Sequence, residues 1–197
     1  MDAGLTRAQL IASAAAIVCS PLLAPSAAAA DAAGALPPSD LAYARLLIAF
    51  ELLAIDFYGN ALRSRHLSPT AVADVQAALN NEFAHRAYLT SVIAAAGAAP
   101  LTAADVNFAY PKRAFYTAAS VKHLALELET LTVGAYLGAA GNVATPMLAS
   151  ALAQITANEA QHQAAIAALD RRAPFHQAFP PLLTMQESSD ALSRYTS

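Results

Sequence analysis

The chain has 197 residues, 57% hydrophobic and only 13% charged, with a net charge of −3 and no basic run. That length suffices for one domain with a sizeable core. The charge pattern disfavours nucleic-acid binding, which needs Lys and Arg clustered along a phosphate track.

Residues 1–30 read as a secretory signal peptide. Leu5 to Ala30 is apolar and small, is broken by Pro21 and Pro25, and ends in Ala28-Ala29-Ala30 before Asp31, the pattern of a leader with a small-residue cleavage site. The two prolines sit badly in a spanning helix, which disfavours an uncleaved anchor. The expected mature chain begins near Asp31, is exported to the periplasm, cell envelope or exterior, and has no stable membrane insertion after cleavage. Cys19, the only cysteine, leaves with the leader, so no disulfide or thiolate metal site is expected.

Residues 31–39 form a linker, and Ser39-Asp40 offers an N-cap. Helix A is predicted from Leu41 to Arg63. Ser68-Pro69 starts helix B, which runs to about Ala96 and stops at Gly97. Residues 98–118, with Pro100 and Pro111, read as a long crossover. Helix C is predicted from Ser120 to Ala140, and Thr145-Pro146 opens helix D, which continues to about Leu169. Residues 40–170 therefore form two helical hairpins joined by one long connection. Residues 171–197 are a Pro-rich C-terminal tail expected to pack its aromatics, Phe175 and Phe179 among them, across the bundle, with a short helix near Met185 to Ser193.

The two hairpins repeat each other. Glu51 is followed by Tyr58 and Glu129 by Tyr136, seven residues on in each case; Asn81-Glu82-x-x-His85 recurs as Asn158-Glu159-x-x-His162. The halves are offset by 78 residues for the first pattern and 77 for the second, which marks an internal duplication. With six Glu and five His in the chain, roughly 0.15 Glu-x-x-His matches are expected by chance, so two at one offset are not accidental. Residues equidistant from the turn of an antiparallel hairpin lie level. The midpoint of Glu51 and Glu82 falls at 66–67 and that of Glu129 and Glu159 at 144, both in predicted turns. Glu and His at i, i+3 share a helical face, so all six side chains can point into one layer.

Four carboxylates in an apolar core repel one another and are costly unless charge is supplied. Two divalent ions supply it, and two imidazoles add one neutral ligand per ion. One Glu from each of two helices plus Glu-x-x-His from each of the other two is the ligand set of ferritin-like dinuclear bundles. Glu51 and Glu129 are then terminal ligands, Glu82 and Glu159 bridge, and His85 and His162 complete the set. Oxygen and imidazole ligation suits iron or manganese, and zinc also fits it. Tyr58 and Tyr136 lie two turns from their glutamates, so they are not ligands there. They either hydrogen-bond a carboxylate on a neighbouring helix or pack as aromatics. Asn81 and Asn158, poor helix formers in mid-helix, suggest a matched hydrogen-bonding role. Glu127, two residues from Glu129, faces nearly the opposite way and reads as an exposed pair with His123. Asp56, His66 and His176 read as surface or loop residues.

With Glu51 to Tyr58, Asn81 to His85, Glu129 to Gly138 with its Gly-Ala-Tyr-Leu-Gly stretch, and Glu159 to His162, residues 40–170 resemble the ferritin-like domain family that includes desiccation-related proteins. The resemblance implies an all-α, ferritin-like four-helix bundle with a dinuclear metal site, commonly exported and associated with stress. Two functions follow. One is a redox metalloenzyme whose iron or manganese pair reacts with dioxygen or peroxide, as a ferroxidase, an oxidase or a peroxide consumer such as manganese catalase. The other is a non-catalytic structural or desiccation-protective bundle whose metals only brace the fold.

Overall fold

A computed structural model describes residues 36–175 and 177–196. The predicted signal peptide with Cys19, most of the predicted linker, and His176 lie outside the described residues. The described chain is helical: α1 spans Pro38–Ser64, α2 Pro69–Ala95, α3 Ala118–Ala140, α4 Pro146–Leu169 and α5 Met185–Ser193, with a 3-10 turn at Ala103–Asp105. At 23 to 27 residues each, the four long helices measure about 35–40 Å.

Local chemistry sets the helix ends. Ser68 caps α2, its hydroxyl accepting from the Ala71 N–H at 3.3 Å, and Pro69 takes the first turn, where a missing N–H goes unnoticed. Thr117 and Ser120 cap α3 reciprocally, satisfying two orphan donors together. At α1 the structure departs from the sequence reading. The helix starts at Pro38, with Pro37 as the extended preceding residue, and Asp40 does not cap its own helix. Its fully buried carboxylate instead accepts from the backbone N–H of Ala144 at 2.9 Å and of Thr145 at 2.8 Å. Thr145, expected to cap α4, makes no side-chain cap bond. Asp40 thus fixes the α3–α4 turn and sets negative charge beside the α4 N-terminus. Burial works to raise its pKa, but hydrogen bonding from the Ala144 amide first, then from Thr145 and Ser39, outweighs it and holds the carboxyl below the usual aspartate range.

Two apolar clusters fill the bundle. One joins Leu53, Phe57 and Ala61 of α1 to Val75 of α2, Val121 and Leu124 of α3 and Ile166 of α4. The other joins Leu47 and Ile48 to Leu89, Ile93, Tyr136, Ala139 and Leu152. The C-terminal half of α1 therefore packs with the N-terminal halves of α2 and α3, so α1 runs against both, and α2 and α3 are parallel. The α1–α2 turn needs only residues 65–68 and the α3–α4 turn residues 141–145, whereas residues 96–117 must travel the length of the bundle. On the way Tyr110 and Phe115 stack against Phe57 at centroid distances of 5.9 and 5.5 Å.

The tail differs from expectation. Phe175 and Phe179 are 90% and 92% exposed. What anchors the segment is backbone: the Leu183 N–H donates to the Gly134 carbonyl at 2.8 Å, and a Cβ on Gly138 would lie 1.8 Å from the Leu183 carbonyl oxygen. Only glycine admits so close an approach. Beyond it, α5 packs on α1 and α3, and Tyr195 is the tail aromatic that reaches the core.

Candidate metal centre

Between the two apolar clusters lies a layer of buried charge. α1 contributes Glu51, α3 Glu129, α2 Glu82 and His85, and α4 Glu159 and His162; all six are buried, the four glutamates at 3% exposure or less. The i, i+3 spacing on α2 and α4 puts each Glu and His on the inner face one turn apart.

The cluster is symmetric about Glu82 and Glu159. Glu82 turns Oε2 to His85 Nδ1 at 3.3 Å and Oε1 to His162 Nδ1 at 3.0 Å. Glu159 turns Oε1 to His85 Nδ1 at 2.8 Å and Oε2 to His162 Nδ1 at 3.3 Å. The outer glutamates approach one histidine each, Glu51 to His85 at 3.7 Å and Glu129 to His162 at 3.9 Å. Two groups result: Glu51, Glu82, His85 and Glu159 in one, Glu82, Glu129, Glu159 and His162 in the other. Each offers four ligand atoms within 4.8 Å of one another, and each could hold a metal ion.

Hydrogen bonding alone does not account for this arrangement. Among the described residues, the buried side-chain polar atoms without a hydrogen-bond partner are Glu51 Oε2, Glu82 Oε1, Glu129 Oε2, both oxygens of Glu159 and His162 Nδ1. All belong to this cluster. Several lie close to a ring nitrogen yet are not aligned with a donor hydrogen. An unsatisfied buried polar group costs about 1–3 kcal/mol, more when charged. Six at one spot are the signature of lone pairs converging on cations, so the donor set fits a metal.

Without metal, protons carry the charge balance. Burial, reinforced by the neighbouring Glu82 and Glu159 carboxylates, holds Glu51 and Glu129 well above the usual glutamate pKa. Burial also opposes charge on the histidines, but the surrounding carboxylates, Glu159 first, override it and push His85 up to about 12 and His162 up to about 10. For Glu82 the two histidines outweigh burial and keep the carboxyl ionised below its ordinary range.

Each outer glutamate is tied by a tyrosine from the other half. The Tyr58 hydroxyl donates to Glu129 Oε1 and the Tyr136 hydroxyl to Glu51 Oε1. Seven residues place each tyrosine about 10 Å along its own helix from its own glutamate. Long helical side chains lean back toward the N-terminus, and this returns each hydroxyl to the carboxylate layer on the facing helix. Burial first, then the adjacent carboxylates, raises both phenols well above their usual pKa, so they remain donors.

The asparagines do not match. Asn81 reaches His162 Nε2 at 3.0 Å, whereas among the described residues the Asn158 side chain has no hydrogen-bond partner and His85 has no counterpart contact. Glu127 stays outside the cluster. It does not pair with His123: its Oε1 accepts from the Tyr195 hydroxyl at 2.8 Å, while His123 Nδ1 lies 3.3 Å from Arg172 Nη2. Asp56 is not a simple surface group either, since Oδ2 accepts from the Tyr110 hydroxyl at 2.8 Å. His66 is exposed. Two residues that hold the frame, Asp40 and Gly138, were not read as such. For Gly138 the Gly134-x-x-x-Gly138 spacing was an available signal of close backbone approach.

Comparison with curated proteins returns no match. A family model for the ferritin-like domain matches residues 39–171, about two thirds of the chain and all four helices that build the centre. On that match, together with the all-α bundle and its buried carboxylate–histidine layer, the chain belongs to the ferritin-like domain family.

Proposed function

We propose that this chain binds two divalent ions, iron or manganese, one in each group of four ligands, and uses them for dioxygen or peroxide chemistry in stress protection outside the cytoplasm. The observation that carries the reading is the set of orphaned carboxylate and imidazole atoms, which two cations would satisfy together. Glu82 and Glu159, each turned toward both histidines, would be shared between the two ions, and Glu51, Glu129, His85 and His162 would each hold one. Oxygen-rich ligation with one imidazole per ion favours iron and manganese by ligand type. A bound pair of either metal supplies the redox equivalents. The protein's own residues hold the ligands in place, with Tyr58 and Tyr136 orienting the outer carboxylates and the two apolar clusters keeping bulk water away. The leader-like composition of residues 1–30 and the resemblance to desiccation-related proteins support the exported, stress-linked setting.

The test is metal analysis of protein isolated from its native compartment, followed by oxygen and peroxide consumption assays on the reduced, loaded protein. Two ions per chain with turnover is the expected result. A loaded protein inert to dioxygen, peroxide and ferrous iron would remove the redox role.

One observation favours a second reading. The contacts between α1 and α3 and between α2 and α4 are far sparser than those within each hairpin, so ions ligated by all four helices would brace the bundle. In a purely structural role, chelation lowers the melting temperature and there is no turnover to lose.

A further inference from the structure

The duplication makes the two halves alike in sequence, but their surroundings are not alike. Asn81 of α2 crosses to α4 and meets His162 Nε2 at 3.0 Å. The equivalent Asn158 makes no such contact with His85. The His85 side chain is 11% exposed against 6% for His162, so the unanchored ring is also the more exposed of the two.

We propose that the two ion positions are inequivalent: Asn81 locks the one served by His162, and the one served by His85 is where metal enters and leaves. The inference rests on the dinuclear reading above. An imidazole that ligates through Nδ1 carries its hydrogen on Nε2 and needs an acceptor there. For His162 the Asn81 amide is in place, a half-turn of the amide presenting its carbonyl oxygen to the Nε2 hydrogen. That contact fixes the ring's direction and makes it a better ligand. Among the described residues His85 has no hydrogen-bond partner at the same atom, so its ring can swing aside and release the ion. Asn81 is therefore a positioning residue: it acts on the metal through His162.

The experiment loads the full chain with Mn(II), confirms the stoichiometry, and follows release to an excess of chelator. Two ions should leave in two phases. Asn81→Leu keeps the volume without the acceptor and should accelerate the slow phase alone, by about 10- to 100-fold, the usual cost of losing a ligand's supporting hydrogen bond. Asn81→Asp retains an acceptor and should keep the slow phase; loss with leucine and retention with aspartate, two side chains of similar shape, is a pattern that a packing role would not produce. Asn158→Leu should change neither phase. Two ions leaving at one rate, or a slow phase unmoved by Asn81→Leu, would overturn the inference and leave the dinuclear reading standing. Uptake of fewer than two ions would overturn both.

Discussion

Loading the metal-free protein with Mn(II) or Fe(II) at neutral pH should release protons, and the structure shows which groups give them up. His85 and His162, pushed up to about 12 and about 10 by the carboxylates around them, carry a proton at neutral pH, and burial raises Glu51 and Glu129 well above the usual glutamate range, which adds to the protons the layer holds. A metal ligand must be deprotonated at the atom that binds. Each ion must therefore displace at least the proton of its own histidine, and the raised outer glutamate beside it adds to the release. The expected release is at least one proton per ion, with affinity rising with pH and the rise flattening as pH approaches the His162 value. Titration calorimetry in buffers of different ionisation enthalpy measures the released protons directly. Release near zero would mean that the empty layer already holds its ligands deprotonated, which would refute the account of how burial and charge balance there.

Stability of the metal-free protein should fall as pH rises. His85 and His162 have folded pKa values raised above the unfolded value near 6.5, so their contribution is complete below that value and lost as pH climbs through about 10 to 12. Glu51 and Glu129, also raised, push in the same direction from a lower pH, and thermal melts of chelated protein from pH 6 to 10 would show the decline. Tyr136→Phe leaves Glu51 Oε1 without its donor; a loss of about 1–3 kcal/mol is expected, together with roughly 10- to 100-fold weaker metal binding by competition titration. Asp40→Ala removes the acceptor of the Ala144 and Thr145 amides and should cost about 1–3 kcal/mol in denaturant unfolding, a loss that acidification through the Asp40 pKa reproduces in the wild type. Gly138→Ala drives a Cβ into the Leu183 carbonyl, so the tail must lift, at a cost of about 1–3 kcal/mol and with faster proteolysis between Arg171 and Thr184.

The parts of this protein that depend on spacing along one helix were legible in the sequence. Glu82 and His85, and Glu159 and His162, share an inner face because i, i+3 residues must, and the hairpin midpoints levelled Glu51 with Glu82 and Glu129 with Glu159. Parts that depend on contacts between distant backbones were not. Asp40 looks like an ordinary N-cap, and its true partners lie 104 and 105 residues away. Phe175 and Phe179 read as packing residues because they are aromatic, but the tail docks through the Leu183 peptide on a glycine pair, a contact without hydrophobic signature. The difference between Asn81 and Asn158 was hidden for another reason: the two motifs are alike, and only the seam between α2 and α4 tells them apart.

Chain direction explains why the tyrosines work as they do. Each group of four ligands takes three residues from one half and one from the other, so neither hairpin completes a group alone. The long connection over residues 96–117 lets α3 run parallel to α2 and antiparallel to α1. With Glu51 and Glu129 level, the seven-residue step then carries Tyr58 to one side of the carboxylate layer and Tyr136 to the other, one in each apolar cluster. Had α3 run parallel to α1, both phenols would crowd one side and the opposite side would have no donor. The antiparallel arrangement puts a hydroxyl and a core on each side of the layer, so the crossover that looks like spare length is what closes the centre from both ends.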